Sequence, residues 1–449
     1  MDTQGLQALV VMLETFRPAL TAPGYRNFVA LFAGWVRTTG THAVTAALVA
    51  TGVSGRRHHE AFHRFFSRGT WDPDELGQLV FGVLLKLLAP GAVLRVVVDD
   101  TLASKKGPHV FGIGSHLDAV RSTKRQKVFC FGHCWVTLAV VMPVPFSTRT
   151  WALPLLFRLN RNEKECLRKG QRYRKKTQLA RELLDVFSGW AGERRVELSM
   201  DSAYCNDTVM RELAACFVVF GSMRPDAVLT EAPTTRRRHK NGRPRVRGRV
   251  LPKPESLALC QKHAWSKTKA LLYGKLQTVE YKMVDAQWYR AAGTRLLRIV
   301  IVRMTCGRIP IRVFFCADTT LCARAILEGY AQRWAIEVCF RDLKQLLGFA
   351  DSSARKQAAV ERTAPFVGIV YSVLVLWAVA HASRLAQRMV PLRPWYPHKQ
   401  GLSFADILRA AQSVLASYEV LDPASSCANL QKLPRCASTR AITPLRRAA

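Results

Sequence analysis

Acid is scarce in this chain: 32 Asp and Glu stand against 67 Lys and Arg in 449 residues, a formal net charge of +35. A surface this cationic repels itself unless a polyanion is near, which excludes a basic partner and points to nucleic acid. A membrane surface is the other polyanion, but nothing here anchors the chain to one. The opening MDTQGLQALVVMLETF carries an early acid and no basic segment before its apolar stretch, so no secretory leader is expected. Only one long apolar run occurs, residues 365–382. It stands alone between basic flanks without sidedness, and reads as a buried helix rather than a membrane span. The twelve cysteines include no CxxC pair, and Cys130-Phe131-Gly132-His133-Cys134 has no second half at zinc-finger spacing. Reduced thiols in a cytoplasmic protein are therefore expected, with these residues in the core. No internal repeat is visible.

What is present suffices for a large core: 49% of residues are apolar, with 21 Phe and 10 Trp. The length suggests about two to four domains. Residues 1–90 read as helical, with Leu9, Val10, Leu13 and Phe16, then Phe28, Leu31, Phe32 and Trp35, at helical spacing. The mixture of bases and aromatics over residues 55–68 suits a helix face laid on phosphates, or equally an amphipathic helix with a solvated basic side.

At Leu94 the period changes. Arg95-Val96-Val97-Val98 reads as a buried strand ending in Asp99-Asp100-Thr101. Val128–Phe131 and Trp135–Met142 read as two strands joined by a hairpin about Gly132-His133. A helix is expected over 172–190, a strand over 196–201 and another over 216–220. These elements make a mixed sheet with helices beside it over residues 91–228. A basic arm without acid follows at 236–253, then strand-like alternation at 277–284, 295–304 and 309–316, giving a β-rich insertion over 229–318. One helix is expected from near Leu321 to Leu347, then the apolar helix, within a segment 319–390. Residues 391–449 form a tail.

Carboxylates directly after buried strands are costly unless a cation compensates for lost hydration. Asp99 and Asp100 end one strand and Asp201 another, while Glu337 lies in a helix. Any one of these Asp residues alone is more readily a turn or helix cap. Together, in a chain so poor in acid, they suit Mg²⁺ or Mn²⁺, and two such ions about 3.5–4 Å apart suit phosphodiester chemistry. On one continuous helix, Tyr330, Arg333, Glu337 and Lys344 fall within an arc of about 60°, a polar stripe beside an apolar one. A solvated face would explain the pairing of bases with Glu, but not the Tyr.

The spacing Tyr330-x2-Arg333-x3-Glu337-x6-Lys344 resembles the Y-(2)-R-(3)-E-(6)-K signature of DDE transposases of bacterial insertion sequences, the insertion-sequence-4-type superfamily. Asp99-Asp100-Thr101 followed by Lys105-Lys106-Gly107, and the strand ending in Asp201, fit the same pattern, so the likeness covers about residues 90–350. It implies a ribonuclease-H-like core, an α/β mixed sheet flanked by helices and interrupted by the β-rich insertion, with an N-terminal helical domain binding the element's ends. It implies the triad Asp100, Asp201 and Glu337, holding two Mg²⁺ or Mn²⁺ ions. Asp100 is preferred to Asp99 because it directly precedes Thr101; Asp99 is then supporting. It also implies that Tyr330, Arg333 and Lys344 contact phosphates and that two subunits act together on double-stranded DNA; in relatives that form a DNA hairpin a Trp of the insertion receives a flipped base, a place for Trp288 or Trp265, although a Trp in a β subdomain is more often core. Arg243 and Arg245 resemble an AT-hook core, or belong to a general phosphate-binding arm. The basic run at residues 168–176 suits a DNA track or a solvated face.

The function so expected is cut-and-paste transposition: cutting at inverted repeats and joining 3′-OH ends to target DNA, in a bacterial cytoplasm at the nucleoid. A nuclease of the same fold without strand transfer, and an inactive DNA-binding regulator, are the alternatives.

Overall fold

The computed structural model describes residues 3–416 apart from 108, 119–120, 124, 169, 234–244, 263, 305–310, 383–394, 396–398 and 400. Arg243 thus lies outside the described residues. The first helices are α1 (Thr3–Glu14), α2 (Ala22–Arg37), α3 (Val44–Ala50), α4 (Glu60–Ser67) and α5 (Pro73–Leu87). Strands β1 (Leu94–Ser104), β2 (Gly114–Leu117), β3 (Phe129–Val144) and β4 (Ser147–Asn160) follow. Next come α6 (Glu163–Arg168), α7 (Lys176–Ala191), β5 (Val196–Met200), α8 (Asp207–Met210), β6 (Phe217–Met223) and α9 (Pro254–Leu259). Then β7 (Ser266–Leu272), β8 (Lys275–Gln287), α10 (Tyr289–Ala292), β9 (Leu296–Met304) and β10 (Arg312–Cys316) precede α11 (Ala323–Ala331), α12 (Trp334–Leu346), α13 (Gln357–Ala380) and α14 (Phe404–Leu415). The protein is therefore mixed α/β. Its chain divides into two compact units, one of Met1–Ala92, Asp100–Arg174 and Glu337–Ala449, the other of Val93–Asp99 and Lys175–Ile336. The N-terminal helices share their unit with β2–β4 and the C-terminal helices.

The first unit is built around α13. From Thr363 on this helix is apolar on all sides, as a fully enclosed helix must be, and Thr363 to Val379 are all buried. The most apolar part is 94% buried, as the sequence suggested for this run. Phe366 sits at the centre of an aromatic cluster with Phe28, Trp35, Phe65 and Phe66, at centroid distances of 5.3–6.4 Å. Such packing combines large area burial with favourable edge-to-face geometry. Gly368 lets β4 approach closely, since a Cβ there would stand 2.5 Å from the Phe157 ring. Buried polar ends are satisfied: Trp377 Nε1 donates to the Gly5 carbonyl and Ser372 Oγ to the Pro154 carbonyl. Helix α14, inside the expected tail, closes the unit by stacking Phe404 on Tyr371 at 4.4 Å.

Strand β3 corrects one expectation. The residues predicted as two strands about a Gly132-His133 turn form a single strand, paired antiparallel with β2 over residues 129–132 and with β4 over residues 134–144. Gly132 marks a close approach rather than a turn: a Cβ there would lie 2.1 Å from the Ala103 carbonyl oxygen on β1.

The second unit carries the strand order β1-β5-β6-β10-β9-β8-β7. β1, β5 and β6 are parallel, and the remaining pairs are antiparallel. Because β10 pairs directly with β6, the β-rich stretch extends this sheet rather than forming a separate subdomain. Helix α11 covers it, burying Ile326, Leu327 and Tyr330 against Phe220, Val300, Val302 and Phe314. Gly329 seats that helix, since a Cβ would meet the Phe220 ring at 2.6 Å. Ser199 Oγ donates to the Gly329 carbonyl, tying β5 to α11.

Candidate active site

In the second unit, parallel β1 and β5 run in register through Val98 opposite Met200. Asp99 comes next within β1, which runs on to Ser104, and Asp201 directly follows the end of β5, so both acids stand at the same level of adjacent strands. Asp201 Oδ1 accepts from the Ser202 backbone N–H at 2.5 Å, and its carbonyl accepts from Tyr204 at 3.0 Å, so it also heads a turn. Asp99 is not open to a metal here. Its Oδ2 lies 2.5 Å from Arg333 Nη1, and each side chain is only 16% exposed.

Tyr330 and Arg333 depart from the expected stripe. The helix is not continuous: α11 ends at Ala331, Gln332 and Arg333 form a turn, and α12 begins at Trp334. Tyr330 is 9% exposed, its ring 4.8 Å from that of Phe314, and its hydroxyl shares a 3.2 Å hydrogen bond with Ser222 Oγ. Burial pushes the Tyr330 phenol up, opposed by that bond and by Arg333. Tyr330 and Arg333 bind the α11–α12 corner to β6 and β1.

Asp100 and Glu337 lie in the first unit. Asp100, in the second half of β1, accepts a hydrogen bond from Cys134 Sγ on β3 at 3.4 Å. Glu337 lies in the first turn of α12 and is half-buried. An acid is favoured there by the helix dipole. Lys344, two turns on, shares the Glu337 face because both lie within α12. Burial of the ammonium lowers the Lys344 pKa, opposed by the Asp118 carboxylate. Cys134 is buried beside Asp100. Its neighbour His133 is 3% exposed, bonds the Phe111 carbonyl at 2.9 Å and titrates at about 4 because burial disfavours its cation.

Carboxylate oxygens are the right donors for Mg²⁺ or Mn²⁺. Among the described residues, however, no group of three or more His, Cys, Asp or Glu side chains is gathered so that it could hold an ion. The donor set fits by its chemistry.

Trp288 packs edge-on against Phe315 at 5.7 Å, and the Trp265 ring carries Lys282 at 4.8 Å and Arg303 at 4.6 Å. Both indoles are engaged within the sheet unit. Arg245 is exposed. Sequence reasoning missed Cys134 and Ser222, whose only signal is alternation along a strand. It also gave no role to Lys105, whose Nζ donates to the Ala350 and Ser352 carbonyls at 2.7 and 2.6 Å and whose pKa burial depresses to about 8.

No curated protein matches this chain. A solved piggyBac transposase, seen by cryo-electron microscopy in a synaptic complex with hairpin DNA, is similar with a TM-score of 0.42 and 10% identity, over 95% of this chain and 79% of that one. The family model described as "DDE superfamily endonuclease" matches residues 15–290, a stretch that holds Asp99, Asp100 and Asp201 and ends before Glu337. Matching well over half its length, the chain belongs to the DDE superfamily endonucleases.

Proposed function

We propose that this endonuclease is a transposase of the bacterial insertion-sequence type, cutting DNA at the element's inverted repeats and joining the freed 3′-OH ends to target DNA. The observation that carries the reading is the pair of aligned parallel strands leading into Asp99-Asp100 and into Asp201, in a DDE endonuclease of net charge +35. The strand order supports a ribonuclease-H-like core: β4-β3-β1, with β4 and β3 antiparallel, then parallel β1-β5-β6, with α7 between β4 and β5 in the chain.

Asp100, Asp201 and Glu337 would hold Mg²⁺ or Mn²⁺, which supplies the positive charge that eases attack at phosphorus. The protein's part is positioning and charge. Lys344 offers a cation on the Glu337 face to a strand phosphate. The Asp99–Arg333 pair and the Tyr330–Ser222 bond fix the corner from which α12 departs, so Tyr330 and Arg333 act by placing Glu337. Two subunits, one per element end, working at the nucleoid of a bacterial cytoplasm, complete the reading.

A strand-transfer assay with a pre-cut duplex end and a supercoiled plasmid tests it. Joined products that require Mg²⁺ or Mn²⁺ are expected. Cleavage without joining would instead make the protein a nuclease of this family, and binding without either would make it a regulator.

A further inference from the structure

A polar cleft of about 380 Å³ lies in the first unit, apart from the carboxylates. One wall is the end of β1 and the residues after it, Ser104, Lys105 and Lys106. The other is the loop after α12, from Ala350 to Ser353, with Arg355. The cleft brings three cations and three serine hydroxyls together with one acid, Asp351. That acid is already engaged, since its Oδ2 accepts from the His42 backbone N–H at 2.9 Å. Lys105 is engaged too: its ammonium holds the opposite loop through the Ala350 and Ser352 carbonyls, which sets the width of the cleft. Lys106 and Arg355 are exposed, and among the described residues neither side chain enters an ion pair or a side-chain hydrogen bond.

We infer that this cleft is a phosphate site for a DNA strand, with Lys106 and Arg355 as its cations and Lys105 as the strut that keeps it open. Two cations and several hydroxyls around a polar recess suit a tetrahedral oxyanion with spread charge. The position suits a backbone contact. Ser104 stands four residues beyond Asp100 on the same strand, roughly 13 Å along it, so the cleft would hold a phosphate a short way along the strand from the cut. The inference rests on the chain acting on DNA, and it adds two residues that the Y-R-E-K pattern does not contain.

The test is the salt dependence of binding to a 30-bp duplex, measured by fluorescence anisotropy on proteins that also carry Asp201→Asn, so that DNA is not consumed. Each phosphate contact contributes about −0.9 to the slope of log K against log salt. The Lys106→Gln/Arg355→Gln pair is expected to flatten that slope by roughly one to two units, and Lys106→Arg/Arg355→Lys is expected to restore it. An unchanged slope in the Gln pair, with thermal unfolding like that of its parent, overturns the inference. Inorganic phosphate is the second arm. At equal ionic strength it is expected to displace the duplex no better than chloride does; selective displacement would assign the cleft to a free anion and overturn the DNA reading of it. Failure of the wild-type enzyme to cut DNA would refute the proposed function and leave the slope result standing, so the two failures are distinguishable.

Discussion

Asp201→Asn is expected to lower DNA cleavage by on the order of 10³-fold or more while leaving duplex affinity within about twofold. The substitution keeps the size of the side chain and its ability to accept from the Ser202 backbone N–H, so the turn after β5 survives. What is lost is an anionic oxygen ligand. Duplex affinity depends on basic groups, which this change does not touch. Asp100→Asn and Glu337→Gln are expected to behave alike. Asp99→Asn is expected to differ, because its carboxylate faces Arg333 rather than a metal. Cleavage assays on these four variants sort the ligands from the supporting acid. Undiminished cleavage by Asp201→Asn would remove the assignment.

Arg333→Ala is the second large effect. It leaves the Asp99 carboxylate, 16% exposed, without the guanidinium that now compensates it. Breaking a buried pair from one side costs about 3–5 kcal/mol, so a marked fall in the denaturation midpoint is expected. The double variant Asp99→Asn/Arg333→Gln removes both charges together and is expected to recover most of that loss in urea unfolding. Had Arg333 served mainly to grip phosphate, the single change would cost duplex affinity and little stability, and the neutral pair would restore nothing. A cycle of the two singles and the double therefore separates positioning from DNA contact.

The acids were legible in the sequence because short β-branched runs lead into them, but only β5 ends there: β1, expected to end at Asp99-Asp100-Thr101, runs on to Ser104. Leu94–Val98 and Val196–Met200 pair as parallel neighbours. Strand β4 was not legible. Pro154 interrupts its apolar run and argues against a ladder, but the β3–β4 register shifts beside it, from Leu138–Leu156 to Ala139–Pro154, and a bulge tolerates the missing N–H. Gly132 was misread for the opposite reason: glycine signals a turn, whereas here it makes room for the Ala103 carbonyl. The break between α11 and α12 has no local signal, since Gln332-Arg333 contains neither Gly nor Pro. Tertiary partners set it, Ser222 holding Tyr330 and Asp99 holding Arg333. The spacing of Tyr330, Arg333, Glu337 and Lys344 thus records a helix–turn–helix corner, of which only Glu337 and Lys344 share a helical face.

The most direct measurement is Mn²⁺ binding to the protein–duplex complex, followed by electron paramagnetic resonance, for the wild type and for Asp100→Asn, Asp201→Asn and Glu337→Gln. Joint coordination predicts that each single substitution weakens Mn²⁺ binding by about tenfold or more, while Asp99→Asn leaves it near the wild-type level. Wild-type binding by all three variants would contradict the account.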